Sequence, residues 1–527
     1  MNQRLKDTEA FKQGTGTIKP NSNIQFGEGG AGTFSDGKLY SGISSGLKDF
    51  VLQSLISLGA PSDIMYDAHP HIGTDRLRKV VTSARENIIA LGGEVRFNTT
   101  FLGYKTTKGK LNSITVESDN GTYEIPCDKL ILAIGHSSRD TFRALNRLGM
   151  DMQSKPFSVG VRIEHLRSDI DTSQFGFDSV YSPDVTPAIY KLSCDTNTGR
   201  KLYTFCMCPG GEVVAAQSDS RSVCTNGMSY RARDCENSNS AILVPVDSND
   251  YGDGVLDGIK FQEELEHKAF TAGGSTGRAP SVRYGDLLDN RPTTEFGKVK
   301  PSFMPGVTCG DLADVFPEVI LDTIKDGVSC MGRKIKGFDD PDAVLTAVEA
   351  RSSSPVRLVR DPETLQSTSV EGIYPCGEGA GYAGGIISSA IDGIKAPINL
   401  PILCLGDLNY NNQCSFTEFS DKIKTIKAGG VSLMNQEKNT AVVTVLGRDR
   451  VGIIADVSRL LADYGINIKD ISQTILDDIF TMVMMVDLKD VVIEESDISE
   501  KLGELGKKLG VQITIQHTGL FNAMHTI

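Results

Sequence analysis

The 527-residue sequence lacks a basic excess: 54 Lys and Arg face 67 Asp and Glu, a formal charge of −13. That balance argues against nucleic acid or another polyanion as partner. A long apolar run is also missing. The longest, 386–405, is interrupted by Asp392, Lys395, Pro397 and Pro401, which excludes a membrane-spanning helix there. No apolar segment of the signal-peptide kind is visible near Met1, so the expected setting is the cytoplasm. Eleven cysteines are scattered without a C-x-x-C pair, and Cys206 and Cys208 are the only close two. Reduced structural thiols are therefore expected rather than a metal or redox site. The apolar (39%) and charged (23%) fractions are those of an ordinary soluble protein. The length implies about two to four domains.

What the sequence has instead is glycine placed in turns. Residues 372–394 read GIYPCGEGAGYAGGIISSAIDGI, with five glycines within 377–385. A short apolar run leads into the turn. Apolar residues then recur at Ile386, Ile387, Ala390, Ile391 and Ile394, which is helical spacing. A strand, a turn without side chains and a helix N-terminus let a large planar or phosphorylated ligand reach backbone N–H groups. Glu378 supplies one carboxylate suited to accepting hydrogen bonds from hydroxyls. A tight connection that needs glycine only for packing is the other reading.

A second glycine loop, 21–38 (NSNIQFGEGGAGTFSDGK), spells G-x-G-x-x-G at 27–32, as does 379–384. Neither has the surroundings of a dinucleotide fingerprint: no buried strand precedes the first, and no following strand with a ribose-binding acid suits the second. Between them, 50–58 and 76–91 have helical patterning, with Thr74 or Asp75 as N-cap, and 94–101 alternates as a strand. A meander follows over 102–125. Residues 129–137 (KLILAIGHS) read as a fully apolar strand ending in a glycine turn. Residues 151–345 are a mixed α/β insertion. Arginines within 349–360 either clamp a carboxylate or phosphate or are solvated.

Residues 377–390 resemble the C-terminal flavin motif of FAD-dependent dehydrogenases with the glutathione-reductase-type fold. The resemblance extends over 1–395. It implies FAD as cofactor, held by Gly27, Gly29, Gly30, Gly32 and Thr33 of the first loop and Gly135, His136 and Ser137 of the second strand end. The third group it implies is Gly377, Glu378, Gly379, Gly384, Gly385 and Ile386, with the helix N-terminus favouring a reduced, anionic flavin. The family also carries a PHIGTD segment, here 70–75, which makes His71 a weak candidate for moving protons. The opening strand, fingerprint and helix of that fold are missing from the sequence, and an N-terminally truncated, incomplete domain is the expectation.

From Asn439 a βαββαβ pattern begins, a ferredoxin-like sandwich. GRDRVGII (447–454) with NIKDIS (467–472) is similar to the ACT family, and closest to its small stand-alone bacterial members. That likeness implies a small-molecule ligand, by class an amino acid, bound at a homodimer interface by Gly447, Asp449, Gly452, Ile453 and Asn467. A purely structural dimerisation module is the alternative.

The expected fold class is α/β. An incomplete FAD-binding domain (1–150 and 346–395) carries an inserted α+β domain (151–345), a linker (396–438) and an ACT domain (439–527). The expected function is an FAD-dependent oxidoreductase-like protein with a regulatory module. A non-enzymatic sensor and an inactive fusion product are its rivals. No metal and no membrane are expected.

Overall fold

The computed structural model describes residues 1–42, 45–178, 185–398, 440–448, 450, 452–476, 479–488 and 495–517. They fall into two compact units, one up to Pro401 and one from Ile402. Of the expected linker, residues 396–398 complete the helix Ile386–Ile398, and the remainder lies outside the described residues.

The first unit is built on a seven-stranded sheet. Its order is Val307–Cys309, Ala279–Arg283, Val344–Glu349, Phe157–Leu166, Asn237–Val246, Lys201–Cys208, Ser193–Asp195. All pairs are antiparallel except Ala279–Arg283 with Val307–Cys309. The two central strands pair over ten positions and are buried along almost their whole length. A strand covered on both faces needs apolar residues at successive positions, as in 241–244 (AILV). It also needs room: a Cβ on Gly160 would lie 2.0 Å from the Ile242 carbonyl oxygen. Helix Glu318–Gly332 lays Ile320, Ile324, Val328 and Met331 against the sheet, a stripe at helical spacing. The sheet continues to Glu349, four residues past the boundary expected at 345.

The flanking parts are narrower. A meander joins Thr100–Thr107, Lys110–Ser118 and Gly121–Pro126. The strand expected from residue 94 starts only at Thr100, because 94–99 find no neighbouring strand and Phe97 is exposed. The apolar run 129–135 is strand only at Leu130–Leu132, parallel to Ile373–Pro375. With one neighbour it is not fully buried, and Ile131 remains 40% exposed. Cys194 and Cys330 stand as a disulfide pair with Cα atoms 6.3 Å apart, where reduced thiols were expected.

The second unit is a four-stranded antiparallel sheet ordered Asn467–Leu476, Ile479–Asp487, Thr440–Arg448, Val511–His517. Helices Ile453–Asp463 and Glu495–Leu509 join its strands. Val457 and Leu461 of one helix and Ile498 and Leu502 of the other meet Val443, Val445, Met482 and Met484 in one core. This is the βαββαβ arrangement the sequence pattern implies.

One buried acid gives the large sheet a pH dependence. Glu164 is fully buried and accepts hydrogen bonds from Ser302 and Asn237. Burial outweighs those donors and pushes its carboxyl from 4.5 up to about 7. An acid raised on folding stabilises fully below its unfolded value, and the contribution is lost as pH rises through about 7. Glu164→Gln should thus flatten the pH dependence of stability between about 4.5 and 7 and gain on the order of 3 kcal/mol at pH 8. Urea midpoints at pH 5 and pH 8 measure it; an unchanged pH profile refutes it.

Candidate functional site

The first glycine loop is moulded on a buried arginine. Helix Asn2–Lys12 delivers Arg4, whose guanidinium donates to the carbonyls of Asn23 (2.7 Å), Ile24 (2.7 Å), Glu28 (2.6 Å) and Gly30 (2.9 Å). Gly27 passes so close that a Cβ would sit 2.5 Å from Arg4 Cδ. Gly29, at φ +85°, would bring a Cβ within 2.2 Å of Thr33 Oγ1. Thr33 is buried, and its carbonyl accepts from Thr74 Oγ1 at 2.8 Å. Thr74 is therefore a tie to the loop and not a helix cap; Gly73 holds the N-cap position and Asp75 accepts from the Arg231 amide. Gly27, Gly29 and Thr33 shape the loop from inside, while Gly30 and Gly32 border a cleft.

Two parallel strand ends form the opposite wall. Leu130–Leu132 leads to Gly135, His136 and Ser137; Ile373–Pro375 leads to Cys376, Gly377 and Glu378. The two turns touch, for a Cβ on Gly379 would lie 2.5 Å from the Gly135 carbonyl oxygen. Ser137 Oγ donates to Gln25 Oε1 at 3.1 Å and so joins the second turn to the first loop. The cleft between these segments has a volume of about 300 Å³. Gly30, Gly32, Gly135, His136, Ser137, Gly377 and Glu378 all line it.

The turn after Gly377 is locked from behind. Asp392, one face down the helix Ile386–Ile398, accepts from the Gly377 amide at 2.7 Å and from both Arg360 Nη atoms at 2.9 and 2.7 Å. Arg360 also donates to the Pro375 carbonyl at 2.6 Å and lies over the Tyr382 ring. Gly384 and Gly385 face a second cleft of about 500 Å³ with Tyr40, Lys155, Ser353 and Tyr382. Neither glycine has a positive φ, and no heavy atom lies nearer than 3.9 Å to a Cβ built there. Neither backbone conformation nor close packing against protein atoms requires glycine at these positions. Ile386 opens the helix and packs, half-buried, on the cluster beneath.

Charge in the first cleft is sparse. Glu378 Oε2 stands 3.3 Å from His136 Nδ1. Burial raises the Glu378 carboxyl, but His136 and Lys155 more than offset it and hold it below its ordinary value. His136 is nine-tenths buried and its Nε2 has no hydrogen-bond partner among the described residues. His71 lines neither cleft. Burial, with Arg233 and Arg231 beside it, takes its pKa down to about 4, so it is neutral at pH 7 and poorly placed to handle protons. Of the three arginines of 349–360, Arg357 lies over the Tyr382 ring and the other two are not a free clamp. Arg351 is buried against Glu266 at 2.7 Å on each side, and Arg360 is committed to Asp392. Gln25, Lys155, Tyr40 and Asp392 carry no motif of their own, and the sequence reading passed over them.

In the second unit, a Cβ on Gly447 would meet Val511 Cγ1 at 2.5 Å, and Gly452 takes φ +100° at the N-cap of Ile453–Asp463. Ile453 points into the core, so only its backbone can meet a ligand. Asn467 is exposed at a strand start, opposite Asp487. Asp449 lies outside the described residues.

Comparison with known proteins gives the family. Residues 156–352 match the family model "FAD-dependent protein, C-terminal domain-like", and the chain belongs to that family of FAD-dependent proteins. An uncharacterized protein of Clostridium beijerinckii is 45% identical over 397 residues, covering 75% of this chain and 73% of its own length. Residues 439–516 match the ACT domain model. A UPF0237 protein of Clostridium acetobutylicum is 52% identical over 87 residues, which is 16% of this chain and 98% of that protein. A solved ACT domain protein from Streptococcus pneumoniae is 40% identical over 16% of this chain and 93% of its own, with a TM-score of 0.15.

Asp392→Ala removes the acceptor shared by Gly377 and Arg360 and leaves a largely buried guanidinium unpaired. It should cost about 3 kcal/mol and speed amide exchange across 376–382. Hydrogen-exchange mass spectrometry reads it, and protection equal to the wild type would show that the lock is idle.

Proposed function

We propose that the first unit is a flavin-dependent oxidoreductase of the dehydrogenase type, with FAD as cofactor. The observation that carries the reading is the convergence of three separate turns, at Gly30, Gly135 and Gly377, on one cleft. The glycines at 384 and 385, unexplained by φ or by protein contact, support it. The bound flavin would supply the electron chemistry. The protein's part is holding and orientation. Gly30, Gly32 and Gly377 offer backbone, while Glu378 and His136 Nε2 offer an acceptor and a free ring nitrogen to ligand hydroxyls. Lys155 and the helix start at Ile386 bring positive potential to the second cleft. Residues 1–150 and 346–395 would form the cofactor-binding part and 151–345 the substrate-holding insertion. The ACT module would bind a small molecule, by class an amino acid, as a homodimer. A second reading, a non-enzymatic regulator in which only the ACT module binds, is favoured by the parallel pair being just two strands wide.

Gly384→Val separates the two. A Cβ there meets no heavy atom within 4 Å, so stability should stay within about 0.5 kcal/mol of the wild type. Flavin binding, followed by quenching of flavin fluorescence on titration of FAD, should be lost. Wild-type protein that leaves FAD fluorescence and its own melting unchanged would sink the oxidoreductase reading. A melting temperature raised by an amino acid alone would then favour the regulator.

A further inference from the structure

The strand Lys201–Cys208 is irregular at its end. Cys206 adopts φ +45°, and the register against Asn237–Val246 slips between Asn239 and Ala241. A non-glycine residue held at positive φ inside a strand is strained, and such strain gathers at functional places. Here it is pinned from two sides. The Cys206 carbonyl accepts from Arg162 Nη1 at 2.9 Å and from the Cys208 thiol at 3.3 Å. The bulge brings both thiols to one ammonium: Lys38 Nζ lies 3.4 Å from Cys208 Sγ and 3.9 Å from Cys206 Sγ.

Lys38 is itself fixed, 2.9 Å from Asp36, which pairs with Arg233 at 3.1 Å. A third of the Lys38 side chain is exposed and Cys206 is half-buried, whereas Cys208 is fully buried. A molecule arriving from solvent meets Cys206 first.

We propose that Cys206 and Cys208 form a redox-active dithiol that reduces a small organic disulfide, with Lys38 holding the attacking sulfur as thiolate. The Cys206 thiolate attacks one sulfur of the disulfide R–S–S–R. The S–S bond breaks, one R–S⁻ leaves and takes a proton from solvent, and Cys206–S–S–R is formed. Cys208 gives up its proton and attacks Cys206 Sγ, which expels the second R–S⁻ to be protonated in turn. Two electrons pass from the cysteine pair to the substrate, two thiols are released, and a Cys206–Cys208 disulfide remains.

The charges around the pair agree in direction. The neighbouring Cys208 thiol, with Lys38 and Arg162, carries Cys206 well below an ordinary thiol against burial and Asp36. Cys208 is carried well above. Glu349, on the far side of Arg162 at 2.7 Å, is the other charged group nearby. The inference does not depend on the flavin reading, and its test contains no flavin.

Full-length protein, its Cys206–Cys208 pair reduced and its Cys194–Cys330 bond intact, should lose two thiols on incubation with oxidised glutathione, with peptide mapping finding a new Cys206–Cys208 bond. Cys208→Ser should stop at the glutathione adduct on Cys206, and Cys206→Ser should form neither. Lys38→Met should slow alkylation of Cys206 by iodoacetamide at pH 7 about tenfold and move its pH midpoint up. Lys38→Arg, which keeps the charge, should restore most of the rate and guards against a folding defect. Alkylation of Cys206 at an ordinary thiol's midpoint, equal in wild type and Lys38→Met, would overturn the proposal. So would protein that takes up glutathione on Cys206 without ever closing the cysteine pair.

Discussion

The guanidinium of Arg162 is wholly out of water in the middle of the seven-stranded sheet. Taken from solvent, its N–H groups must all be met, and they are: by Glu349 at 2.7 and 2.9 Å, Asn239 at 3.1 Å, Asn226 at 3.0 Å and the Cys206 carbonyl at 2.9 Å. These partners come from four strands, so one residue sets the spacing of the sheet's centre and the shape of its bulge. Nearby backbone yields to it: a Cβ on Gly227 would lie 2.3 Å from Nη1. The same solution recurs at the edges of the first unit. Arg4 gathers the first glycine loop, Arg360 gathers the second with Asp392, and Arg139 and Arg351 close on Glu266. Buried ion pairs are weak evidence of net stability, but they strongly penalise any arrangement that leaves one member alone. They make the turns around the cleft specific.

Periodicity carried most of the fold. The helices at 47–57 and 74–90, the meander and all four strands of the terminal module lie where apolar spacing puts them. It failed where pairing decides. Residues 94–99 alternate correctly but have no neighbour, and 129–135 is apolar enough for a central strand yet has one partner only. Alternation states which face a strand would bury; it says nothing of whether another strand arrives. Long-range charge pairing was equally invisible. Nothing local in 349–360 distinguishes a solvated arginine from Arg351, whose partner Glu266 is 85 residues away.

The glycines divide by cause, and that division was hidden in the sequence. Gly27, Gly29 and Gly379 are required by neighbouring atoms, and Gly135 and Gly377 take positive φ. Gly384 and Gly385 answer to neither demand. All seven look alike as letters in a motif. The last two leave open space in the second cleft, whereas the first five build the turns around the first. A glycine-rich motif is thus mostly architecture, with its chemical meaning confined to a few positions.

Reduced inert thiols were the expectation for Cys206 and Cys208, and spacing alone gave no reason to think otherwise. In a regular strand, residues two apart point the same way but stand well separated along it. The bulge changes this by spending one backbone conformation that cysteine rarely adopts, and Arg162 and Asn239 hold it there. The lysine beside them sharpens the point. An ammonium drawn between two sulfurs and Asp36 gives up part of its hydration, and neutral thiols return little for it. A thiolate returns much more, so the position of Lys38 is best balanced when one of the two sulfurs is charged.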